Sequence, residues 1–113
     1  MSEKGTPLSV EERRDSARVP IRIMVRDPAM GGSFEEYQGN LSIGGVFFVA
    51  GHPPLGGRVE LRFLLPGGRT EEIRATGDVI RVTREGQAFG THVRFVEMPL
   101  EAELAVARFL EGR

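Results

Sequence analysis

Apolar residues recur at every second position through much of this chain, and glycine- and proline-rich turns break the runs into short lengths. Ile21, Ile23 and Val25 alternate with Arg22, Met24 and Arg26. Val59, Leu61, Phe63 and Leu65 alternate with Arg58, Glu60, Arg62 and Leu64. Phe89, Thr91, Val93 and Phe95 repeat the pattern near the end. A period of two puts successive side chains on opposite faces, so each run predicts a strand with one buried face. Residues 34–41 read as a more polar strand. Val46-Phe47-Phe48-Val49 is apolar on both faces and is expected to be covered on both sides. Asp27-Pro28, Gly31-Gly32, the His52–Gly57 loop, Pro66-Gly67-Gly68 and Glu85-Gly86 supply the turns between runs.

One run changes parity. Ile73, Ala75, Gly77 and Val79 fall on odd positions, whereas Ile80 and Val82 fall on even ones. A switch beside a glycine predicts a β-bulge or a strong bend. After Pro99 the period itself changes. Leu100, Leu104, Ala107 and Leu110 are spaced as one face of a helix, predicted over 99–111. Glu101 and Glu103 suit the positive N-terminal end of its dipole, and Arg108 suits the other end. The class is therefore mainly β, with about six antiparallel strands and a C-terminal helix. Closing those strands into a barrel removes exposed edges, and the helix would then cover a mouth or flank.

The chain has 113 residues, which suits one domain. Residues 1–12 are polar and aperiodic and are expected to be a disordered tail. Residues 13–19 form a charged arm, 21–97 the barrel and 99–111 the helix, so the domain runs from 13 to 113. With no cysteine, disulfides and thiolate metal sites are excluded. No apolar run has the length of a signal peptide or a membrane span, so a cytoplasmic protein without membrane insertion is expected. His52 and His92 lie far apart without a carboxylate at ligand spacing, and neither reads as a metal ligand. Ser42 lacks the flanking pattern of a nucleophile elbow. No nucleophile–base arrangement emerges, so neither an enzyme nor a cofactor is expected.

The net charge of −1 gives no global attraction to nucleic acid. That near-neutrality, and the lack of an aromatic stacking face in the sequence, argue against nucleic acid as the partner. Locally the picture differs. Arg13, Arg14, Arg18, Arg22 and Arg26 cluster with a single acid among them, Asp15. Arginine is the better cation for planar, bidentate contacts to phosphate or guanine.

Two short motifs stand out. Arg14 and Arg18 form the ends of an RxxxR element, and Asn40-Leu41-Ser42-Ile43-Gly44-Gly45 fits (D/N)xSxxG. Alone, the first is a solvated charge run and the second a turn capped by Asn40. Together and in this order, on a barrel pattern with a terminal helix, they resemble the PilZ domain family. Gly45-Val46-Phe47-Phe48, Gly77-Asp78-Val79-Ile80-Arg81-Val82 and Gly90-Thr91-His92-Val93-Arg94-Phe95 extend the resemblance over residues 13–111.

The resemblance implies a six-stranded antiparallel barrel that serves as a receptor for cyclic di-GMP. It casts Arg14 and Arg18 as clamps on guanine and phosphate, with Arg13 adding a phosphate contact. Asn40 and Ser42 become polar contacts to the ligand. Gly45 would allow close approach of the ligand, and Gly44 would serve turn geometry. Arg81 stands where relatives often carry a stacking aromatic; its guanidinium can replace that ring or simply be an exposed strand residue. Asn40 departs from the Asp alternative by lacking a full charge, which should lower affinity. With little chain outside the domain, the resemblance implies signalling through an effector protein, by a change in the arm on ligand binding. Dimerisation, and binding of one cyclic di-GMP or two, stay open. The alternative is a PilZ-fold adaptor for protein interaction that does not bind nucleotide.

Overall fold

The computed structural model describes residues 18–67 and 72–112. Six strands close a barrel: β1 (Val19–Arg26), β2 (Glu35–Ser42), β3 (Gly45–Ala50), β4 (Arg58–Leu64), β5 (Glu72–Glu85) and β6 (Ala88–Glu97). Their order around the barrel is β1-β2-β3-β6-β5-β4, and every pairing is antiparallel. Closure comes from β1 against β4, with Ile23 opposite Phe63 and Val25 opposite Leu61. The helix α1 (Leu100–Glu111) follows β6. This is the mainly β, six-stranded barrel with a C-terminal helix that the alternation predicts. No described helix is long and apolar enough to cross a membrane.

Alternation sets the core. Val19, Ile21, Ile23 and Val25 of β1 are buried, as are Val59, Leu61 and Phe63 of β4. On β3, Val46, Phe48 and Ala50 point inward, while Val49 is exposed and Phe47 only half-buried. The expected cover over both faces of β3 is thus present only on the inner one. A closed barrel has a single interior, so apolar residues of the other parity must lie on its outer wall.

The parity change in β5 is a bulge. Val79 pairs with Val93 and Arg81 with His92, so Ile80 is skipped and turned outward. A second slip between Thr76 and Gly77 skips Val96 on β6.

Helix α1 seats on the barrel through Val106, with Ala102, Ala105, Phe109 and Leu110 packed against the core. This differs from the predicted face. Leu100 is 69% exposed and Leu104 46%. Both faces carry apolar residues at helical spacing. Leu110 of the predicted face does pack against the core, so the seated face is turned towards Val106 and Phe109 and leaves Leu100 and Leu104 outside. At the opposite mouth, Asp27 joins two loops: Oδ1 accepts the Ala29 N–H and Oδ2 the Leu55 N–H at 2.7 Å.

Candidate functional site

The register lines up one row of residues across the outer wall. Asn40 on β2 faces Phe47 on β3, Phe47 faces His92 on β6, and His92 faces Arg81 on β5. In the neighbouring row Ser42 faces Gly45, and Gly45 faces Arg94. Arg18 stands one residue before β1, beside the end of β2. These elements surround a depression of about 290 Å³ that Arg18, Asn40, Ser42, Gly44 and Gly45 line together with Phe47, Ile80, His92 and Arg94. Arg81 is not among its lining residues; it sits beside them, opposite His92. Arg13 and Arg14 lie outside the described residues.

The depression has a cationic rim and an apolar floor. Arg18 and Arg94 supply the charge, and no described lining residue is acidic. The nearest acid by register, Asp78 opposite Arg94, is engaged by Arg58 at 3.0 Å. On the floor the rings of Phe47 and His92 lie 4.6 Å apart at 52°. The His92 imidazole is held below its ordinary 6.5, first by burial and then by the positive charges of Arg81 and Arg18, with Glu85 opposing. It is therefore a neutral aromatic ring at neutral pH. A cationic rim with an aromatic floor suits an anion that also carries a flat ring.

The two glycines of the turn differ in what surrounds them. A Cβ on Gly45 would collide with the backbone carbonyl of Val93. Gly45 is therefore required by the close pairing of β3 with β6, whatever binds outside. A Cβ on Gly44 would meet nothing within 4 Å, and Gly44 is not among the positive-φ glycines Gly31, Gly67 and Gly86. Its backbone carbonyl accepts the Phe95 N–H at 2.9 Å, and Gly44 is one of the residues lining the depression. Ser42 Oγ donates to the Gly45 carbonyl at 3.2 Å, which closes the turn and leaves its lone pairs free to accept.

Val46, Phe47, Ile80, His92, Val93 and Arg94 line the depression from outside the two motifs. Ile80 carried a sequence signal, the parity switch that makes it a bulge. Phe47 and His92 stand in segments that carry the family resemblance, but no local pattern pairs them, because they meet only through the β3–β6 register. Among the described residues, no group of three His, Asp or Glu side chains could hold a metal ion.

A family model described as the PilZ domain matches residues 12–112. The chain belongs to the PilZ family. PilZ domains are non-catalytic receptor or adaptor modules, generally associated with cyclic di-GMP. Among solved structures, the inhibitor of motility from Bacillus subtilis superposes with a TM-score of 0.71 at 16% identity, over 86% of this chain and 48% of that one. This chain thus spans about half the length of that protein. A pathogenic protein from Xanthomonas campestris, described as a tetrameric PilZ domain self-assembled through a helical bundle, gives a TM-score of 0.60 at 14% identity. That likeness covers 99% of this chain and 94% of the other. No curated protein matches the chain in sequence.

Proposed function

We propose that this PilZ domain binds cyclic di-GMP on its outer wall at the β2–β3 turn and signals through a partner protein. One observation carries the reading: Arg18, Asn40 and Ser42 converge on a depression with a cationic rim and no acidic lining among the described residues. Cyclic di-GMP presents two phosphates and two guanines. An arginine fork meets guanine O6 and N7 bidentately, and it pairs equally well with a phosphate. Asn40 brings one acceptor and one two-proton donor, and Ser42 brings free lone pairs. Arg13 and Arg14 precede Arg18 closely in the sequence, and the RxxxR element casts them as further contacts to the same ligand. In this proposal the arm closes over the ligand, and a partner reads the altered surface.

Calorimetric titration of the full chain with cyclic di-GMP is expected to give saturable heat. No heat from folded protein at tens of micromolar would remove the reading. Slower tryptic cleavage after Arg13 and Arg14 in the presence of ligand checks the closing of the arm; equal rates would leave binding without that switch.

Binding should also respond to pH. The groups acting on His92 are Arg81 and Glu85 from the β5–β6 hairpin and Arg18 from before β1. An anionic ligand offsets the two arginines, so His92 holds a proton more readily in the complex than in the free protein. The complex then binds more protons, and affinity rises as pH falls from about 7.5 to about 5.5. The expected gain is severalfold, read by titration across that range, and His92→Gln should flatten it.

A second reading is an adaptor that does not bind nucleotide. Ile43, Val96, Leu100 and Leu104 are exposed apolar residues on the turn, the β6 bulge and α1. If that surface alone recruits the partner, recruitment will ignore both cyclic di-GMP and Arg14→Ala.

A further inference from the structure

We infer that Phe47 and His92, tilted at 52° to each other, form an aromatic stacking surface for one purine base of a cyclic dinucleotide, with the Phe47 ring laid along the barrel at Gly90. This rests on the ligand class proposed above and adds the surface that would receive the base.

Both residues occupy outward positions, opposite each other on β3 and β6. No described element packs over the outer wall there, and their neighbour Val49 is 39% exposed. The pair therefore has no second layer to fill. Phe47 is nonetheless half-buried, because its ring lies down along β6. A Cβ at Gly90 would come within 2.6 Å of Phe47 Cε1 and 2.7 Å of Cζ. Any side chain at position 90 would push the ring away from the sheet. Thr83 Oγ1 closes the same spot from β5, at 2.9 Å from that Cβ position. The vacancy at Gly90 thus accommodates the ring.

The surroundings suit a nucleotide more than a plain aromatic ligand. Arg18, Arg81 and Arg94 are distributed around the two rings, within reach of a phosphate attached to a stacked base. Ile80, 59% exposed at the bulge, extends the apolar floor. Flat rings at the centre and fixed cations at the margin match a base at the centre and its phosphates at the margin.

The experiment uses the full chain and cyclic di-GMP, with Phe47→Leu, His92→Gln and Gly90→Ala. Phe47→Leu keeps an apolar side chain and removes the π-face. Gly90→Ala displaces the ring without altering any polar group that could touch ligand. Each variant is checked by its thermal midpoint. We expect Phe47→Leu to weaken affinity roughly tenfold or more, in line with base–aromatic stacking. Gly90→Ala should weaken it in the same direction. In wild type the His92 ring proton signals should shift upfield at saturation, and guanine absorbance should fall. A merely structural pair would give neither sign. If wild type binds cyclic di-GMP but all three folded variants bind equally well, or the His92 signals stay in place, the platform is wrong and the ligand reading stands. If folded wild type shows no binding, both fall together. Should Gly90→Ala fail to fold, Phe47→Leu and His92→Gln still decide.

Discussion

Arg18→Ala is expected to abolish measurable binding of cyclic di-GMP while leaving the barrel as stable as wild type. Arg18 is exposed, precedes β1, and makes no ion pair or hydrogen bond with a described residue. Its removal should therefore change stability by no more than about 0.5 kcal/mol. Binding is another matter. Arg18 lines the depression, and its fork would make charge-assisted bonds to the ligand. Losing two such bonds costs about 3 kcal/mol, or on the order of a hundredfold in affinity. Calorimetry with parallel thermal melts reads both quantities. Arg18→Lys sharpens the result, because it keeps the charge and loses the fork; it should recover only part of the affinity. Arg74→Ala is the control for general charge, since Arg74 pairs with Glu72 on β5 away from the depression. Wild-type affinity in Arg18→Ala would remove Arg18 from the site.

The second large effect separates the two glycines of the turn. Gly45→Ala is expected to destabilise the fold by about 2–3 kcal/mol, because the new methyl group collides with backbone rather than with a side chain that can turn aside. For a domain of this size that lowers the thermal midpoint by on the order of ten degrees. Gly44→Ala should leave stability within about 0.5 kcal/mol of wild type, since its Cβ meets nothing within 4 Å. Its methyl group instead borders the depression, so cyclic di-GMP binding should weaken. Equal stability of the two variants would show that β3 and β6 can open at Gly45 at no cost, against the geometry.

The motif reading singled out Asn40, Ser42 and the glycine pair, and the depression does gather them with Arg18. It could not apportion the glycines, because a motif records where a glycine stands and not which atom would strike its missing side chain. At Gly45 that atom belongs to Val93, far along the chain on another strand. Arg81 shows the same limit. It lies in the row with His92 rather than on the lining, because the bulge at Ile80 turns the isoleucine towards the depression. The helix offers a further case: two apolar faces are written into residues 100–110, and only the docked helix shows that Val106, with Ala102 and Ala105, is seated while Leu100 and Leu104 stay exposed.

Strands, turns, the bulge and the terminal helix were legible because each is a local matter, in which side-chain direction repeats every two residues or every three to four. The arginine cluster and the polar turn were legible for the same reason. The Phe47–His92 pair, the collision that demands Gly45, and the seated face of α1 were not. They depend on inter-strand register and on the barrel closing on itself, which bring together residues that no local pattern connects.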